Sequence, residues 1–245
     1  MSAASVTAAS AGMAPAVELH DARFAYQGGP DVVAISHLAI PRGETVFLHG
    51  PSGSGKTTLL GLLAGVLRAS SGRVQILGTD LTRLSSGERD AFRAQHLGYV
   101  FQQFNLIPYL SVRENILLPV RLDAGRRARL QGADPVRAAN TLAAELDIAN
   151  ALDTPVTRLS VGQQQRVAVA RSLIAAPEVV ICDEPTSALD SDRRERFLQL
   201  LVASCHKAGA TLVFVSHDMS LRPLFSRAIS LPEVNTASAV AHVEN

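Results

Sequence analysis

The chain predicts an α/β fold: a mostly parallel sheet flanked by helices, with a mainly helical segment inserted in its middle. Three observations predict it. A glycine-rich loop separates a short apolar strand pattern, Thr45–His49, from a helix pattern that runs on from Thr58. Two further apolar runs, Val179–Cys182 and Thr211–Val215, flank a long amphipathic helix pattern from about Ser191 to Lys207. Strand–helix–strand order of this kind builds a parallel sheet that carries its functional groups at the carboxyl ends of the strands. From about Ser85 to Ala175 the pattern is mainly helical.

Composition narrows the classes. At 245 residues the chain makes one large domain, or one domain with an embedded subdomain. Apolar residues at 47% and charged residues at 18% supply a core and exclude global disorder. A net charge of +1 gives no electrostatic case for nucleic acid, and none is expected as a partner. Cys182 and Cys205 lack metal-ligand spacing and read as buried or idle thiols in a reducing compartment. No apolar run approaches the roughly 18 residues of a membrane span. Residues 1–15 lack the basic start of a secretory signal and are expected to form a flexible tail, so the chain should be cytoplasmic.

In order along the chain, Val17–His20, Ala22–Tyr26 and Ile35–Ile40 read as short strands, with a turn at Gln27–Pro30. The glycine-rich loop and its helix follow, then a strand at Gly72–Leu77 closed by Gly78. Pro108, Pro119 and Pro135 should break the helical stretch. The basic run Asp123–Arg129 reads as a solvated loop.

The loop itself, Gly50-Pro51-Ser52-Gly53-Ser54-Gly55-Lys56-Thr57, fits G-x-x-x-x-G-K-[ST] in the strand–loop–helix context the motif requires. Its glycines let backbone N–H groups turn inward around phosphates, and the helix that follows points its positive end at them. Lys56 would reach the β- and γ-phosphates and the Thr57 hydroxyl would hold Mg²⁺. The chain is therefore expected to bind a nucleoside triphosphate on a P-loop NTPase core.

Asp183-Glu184 ends the apolar run Val179–Cys182. Alternation along a strand sends the two carboxylates in different directions, one toward a Mg²⁺ shell and one toward the attacking water. Ser160 and Gln163 form an S-x-x-Q capping box, so a helix should start there and offer a second anion-facing terminus. One domain does not obviously need two such termini, which hints that two chains share each nucleotide. His217 follows the strand Thr211–Ser216, where a γ-phosphate contact would sit. Gln102, at the end of another strand pattern, could orient water or Mg²⁺.

As a set, from about Val17 to Leu231, these residues resemble an ABC-type ATPase, the nucleotide-binding subunit of ATP-binding-cassette systems. The resemblance makes Gly50 to Thr58 the Walker A loop, Gln102 the Q-loop glutamine, Leu159–Gln163 the signature motif and Val179–Asp183 Walker B. It makes Glu184 the catalytic base, Ser187–Asp190 the D-loop and His217 the switch histidine. Tyr26 falls where the family stacks an aromatic on adenine, with Phe24 as the competing candidate. Ser160 and Gly162 would contact the γ-phosphate across a dimer, beside Gln163. The implied ligands are ATP and Mg²⁺, the metal held by Thr57, Gln102 and Asp183. The implied domain covers residues 16–231, with an N-terminal antiparallel β subdomain and an inserted α-helical subdomain at about 89–168.

Two departures stand out. Val161 replaces the usual signature glycine, which is tolerable if its side chain points away from nucleotide. Ser230–Val234 lacks the family's common Asp-Gly hairpin, so residues 232–245 are expected to be loose. Gln102–Asn115, with Leu81–Ser85, is similar to the lipoprotein-releasing and macrolide- or peptide-export subgroup. That resemblance implies an integral membrane permease docked near Gln102–Asn115 and a homodimer or pseudo-symmetric dimer of ATPase subunits. It also implies a place on the cytoplasmic face of the inner membrane. Import, control of a periplasmic enzyme through a membrane partner, and a soluble DNA- or translation-related ATPase are the alternatives.

Overall fold

The computed structural model describes residues 14–185 and 191–237. Its strands, in chain order, are β1 (Val17–Ala25), β2 (Asp31–Ile40), β3 (Thr45–His49), β4 (Ser71–Ile76), β5 (Thr79–Asp80), β6 (Leu97–Val100), β7 (Val179–Asp183), β8 (Thr211–Val215) and β9 (Arg227–Ser230). The helices are α1 (Lys56–Leu63), α2 (Ser86–His96), α3 (Val112–Leu122), α4 (Ala124–Ala128), α5 (Pro135–Glu145), α6 (Val161–Leu173), α7 (Ser191–Ala208) and α8 (Leu231–Val234). The strands form an antiparallel sheet ordered β2-β1-β4-β5 and a parallel sheet ordered β6-β7-β8-β3-β9.

The parallel sheet is covered on both faces, and its strands alternate between two cores. Phe47, Val180, Cys182, Leu212 and Phe214 point into one core with α3, α5, α6 and α7. Their neighbours Val46, Leu48, Ile181, Val213 and Val215 point into the other, with α1 and the antiparallel sheet. Continuous apolar runs suit this arrangement because neither face of the strand meets water.

Several local expectations change. The two strands read at Val17–His20 and Ala22–Tyr26 are one strand, β1, with an irregularity at Asp21, whose φ is +46°. Gly72 passes so close that a Cβ there would lie 2.1 Å from the Asp21 carbonyl oxygen. Pro119 does not break a helix; it sits inside α3. Pro135 does mark a start, at the first position of α5. The basic run is no solvated loop, because residues 124–128 form α4 and the Arg126 side chain is buried. Its guanidinium donates to the carbonyls of Ala94, Leu97, Ser172 and Ile174, at the ends of α2 and α6. Such helix ends expose unsatisfied carbonyls that a guanidinium can serve, and this is what makes the burial tolerable.

The expected loose tail also fails for its first part. Residues 231–234 are helical and Asn235 is fully buried. The expected D-loop, Ser187 to Asp190, lies outside the described residues, as do residues 1–13 and 238–245. Among the described residues no helix is long and apolar enough to cross a membrane.

Candidate nucleotide site

Strand order decides which motifs meet. β3, which feeds the glycine-rich loop, lies beside β8, which ends just before His217. β8 lies beside β7, which ends at Asp183, and β7 beside β6, two residues before Gln102. All run parallel, so these four tips share one edge of the sheet.

The loop turns back on itself through left-handed glycines, Gly53 at φ +79° and Gly55 at φ +92°, a region few other residues adopt cheaply. Lys56 folds into its mouth, donating from Nζ to the carbonyls of Gly50 and Pro51, both at 2.8 Å. Gly50, Pro51, Ser52 and Gly53 line the open side; Ser54 and Gly55 are buried beneath. Thr57 is exposed at the start of α1, and the buried Thr58 shares a 3.3 Å hydrogen bond with the Tyr26 hydroxyl. Tyr26 is 54% exposed, whereas Phe24, packed edge-on against it, belongs to the core. Of the two aromatics, only Tyr26 has a ring face free to stack.

Asp183 ends β7, and the backbone then leaves the strand: Glu184 has φ +44°, with its N–H donated to Val215 O at 3.1 Å. The directions of the two carboxylates therefore follow from this kink, not from strand alternation as the sequence implied. Burial first, then the charge of Glu184, pushes the Asp183 carboxyl above its usual range, while Lys56 pulls it down. The His217 imidazole, largely exposed, places Nδ1 3.4 Å from Glu184 Oε2. Gln102 is exposed beyond β6.

The donors fit Mg²⁺. Thr57, Asp183 and Gln102 offer hard oxygens, and the half-buried Asp183 carboxylate beside Glu184 holds negative charge that a hard cation would relieve. A single protein carboxylate with substrate phosphates and water is the usual Mg²⁺ arrangement.

The capping box forms as expected: Ser160 Oγ accepts from Gln163 N, and Gln163 Oε1 accepts from Ser160 N at 3.0 Å. Ser160 and Val161 are exposed, and a Cβ at Gly162 would meet nothing within 4 Å, so this terminus faces open space.

Two supporting residues escaped the sequence reading. Gln165, on α6, donates to Pro185 O at 2.7 Å and so ties the helix behind Ser160 to the turn after Glu184. Arg171 donates to the carbonyls of Phe104 and Asn105 at 2.5 and 2.6 Å. Both acceptors have positive φ, +57° and +46°, so Arg171 holds a strained turn just past Gln102. Beside that turn runs a groove of about 850 Å³, lined by Leu67, Arg93, Phe101, Leu118, Pro119 and Leu122.

The model of one protein family, described as ABC transporter, matches residues 34–187. The chain belongs to the ABC transporter family. As a member it is an ATP-binding subunit and an ATPase. It is 38% identical over 218 residues to an uncharacterized ABC transporter ATP-binding protein of Escherichia coli, YbbA, covering 88% of this chain and 93% of that one. It is 41% identical over 225 residues to the lipoprotein-releasing system ATP-binding protein LolD of Novosphingobium aromaticivorans, covering 89% and 97%. The dimeric ATP-binding cassette MJ0796, in a post-hydrolysis state with ADP and Pi, matches at a TM-score of 0.76 and 33% identity, over 87% of this chain and 93% of that cassette.

Proposed function

We propose that two copies of this ABC transporter ATPase close head to tail around two MgATP and reopen on hydrolysis, driving a membrane permease in export, lipoprotein release or transmission of motion across the membrane. The observation that carries this is the convergence of Lys56, Asp183, Glu184 and His217 at adjacent strand tips, while the Ser160–Gly162 terminus looks outward. One chain thus holds the phosphate loop and the hydrolytic pair, and presents a second anion-binding helix start that a partner copy can use. The dimeric cassette structures support the pairing.

Within one site, Tyr26 stacks on the adenine and the loop from Gly50 to Thr58 cradles the phosphates. Glu184 polarises the attacking water, and His217 and Lys56 steady charge on the transferring group. Ser160, Gly162 and Gln163 of the opposite copy complete the γ-phosphate contacts. Mg²⁺, held by Thr57, Asp183 and Gln102, neutralises charge on the phosphates.

The permease docks in the groove beside Gln102–Asn115, which carries exposed apolar side chains at Val66 and Leu122; Tyr109, on the loop before α3, is exposed as well. Docking there places the chain on the cytoplasmic face of the inner membrane. The lipoprotein-releasing LolD among its relatives supports release or export over import.

A sizing column tests the engine. Glu184→Gln with ATP should run as a dimer and turn over at least a hundredfold more slowly than wild type. A mutant that stays monomeric with ATP, or hydrolyses normally, would end this assignment.

A further inference from the structure

The segment after β9, where a loose tail is expected, instead reaches back under the phosphate loop. Asn235 is fully buried and uses both amide hydrogens and its carbonyl oxygen. Nδ2 donates to Val32 O at 2.9 Å and to Ser54 O at 3.1 Å. Oδ1 accepts from Ala34 N at 2.7 Å and from Ala237 N at 3.3 Å. One side chain therefore joins the C-terminal segment, the strand β2 and the phosphate loop.

The fit is close at both ends of the loop. A Cβ on Gly50 would lie 3.2 Å from Pro232 Cδ and 3.4 Å from Leu231 Cβ. A Cβ on Gly55 would lie 2.8 Å from Val32 O and 3.3 Å from Asn235 Nδ2.

We propose that Asn235 is a positioning residue for nucleotide binding, aiming the Gly55 amide through its bond to the Ser54 carbonyl. The peptide between Ser54 and Gly55 is planar and trans, so its C=O and N–H point in opposite directions. Holding the carbonyl down on Asn235 turns the Gly55 N–H up into the loop, where a phosphate oxygen accepts it. Without that bond the peptide can rotate, and binding must then freeze it. The proposal rests on the assignment of Gly50–Thr57 as the phosphate loop.

Asn235→Asp keeps the acceptor for Ala34 N and replaces the donor facing Ser54 O and Val32 O with an oxygen. Its Kd values for MgATP and for inorganic triphosphate should both rise about tenfold, or about 1.4 kcal/mol, and KM should rise with them while kcat stays within threefold. Thr236→Val is the control: it removes the Thr236 Oγ1 bond to Ala34 O, at 3.0 Å on the same segment, and leaves Asn235 in place. It should bind as wild type. Should Asn235→Asp fail to fold, Asn235→Ser, which shortens the side chain without adding charge, carries the same expected shift.

A folded Asn235 variant that binds within twofold of wild type overturns the proposal. So does a Thr236→Val variant that weakens as much, since docking of the segment would then be the whole effect. Lys56→Ala should lose nucleotide binding; if it binds normally, the phosphate-loop assignment itself falls, whatever Asn235 does.

Discussion

His217 and Glu184 face each other across adjacent strand tips, Nδ1 to Oε2 at 3.4 Å. The pair forms because β7 and β8 are parallel neighbours and Glu184 is kinked toward β8, its N–H held by Val215 O. Under the proposed function, imidazole and carboxylate together hold one water between the carboxylate and a γ-phosphate.

His217→Ala should therefore lower kcat about a hundredfold and leave the Kd for ATP within threefold. Glu184 stays in place in that variant but loses its neighbour. Steady-state turnover with equilibrium binding measures both; a mutant with normal kcat would assign the contact to structure alone.

Asp183 carries a cost in the folded protein. Its carboxyl is raised by burial and by Glu184, so the folded state holds the proton to higher pH than the unfolded chain does. As pH rises past the ordinary carboxylate value, the unfolded chain ionises first. Stability falls until the folded carboxyl has also ionised. Asp183→Asn should then melt higher than wild type without ligand at pH 7, lose that advantage at low pH, and gain nothing from Mg²⁺ with ATP. A melt series with pH and ligand checks all three.

Arg126 makes a stability prediction. Burial draws its guanidinium down to about 10, which leaves it charged at neutral pH, and four backbone carbonyls accept from it. Arg126→Met removes the donors and strands those carbonyls, costing about 3 kcal/mol or more. Denaturant unfolding should show the midpoint drop. A change under 1 kcal/mol would mean that water replaces the guanidinium.

What was legible in the sequence is what is contiguous in it. The glycine-rich loop packs its glycines and a lysine within eight residues, the capping box spans Ser160 to Gln163, and Asp183-Glu184 ends an apolar run; each is set by chemistry a few residues long. The same locality placed the strands that feed the site, because a doubly covered strand must be apolar throughout.

Tertiary structure decided the rest, because burial and partners depend on residues far apart in the chain. Tyr26 and Phe24 are equivalent aromatics in sequence until packing buries one ring and leaves the other exposed. Arg126 sits in a run that looks solvated, until α2 and α6 bring their terminal carbonyls around it. Asn235 looks like part of a frayed end, yet its amide meets Ser54, 181 residues earlier, because β9 returns the chain beside β3 and the glycine-rich loop lies at the tip of that strand. Sequence determined which groups this ATPase has; the order of the strands determined which of them meet.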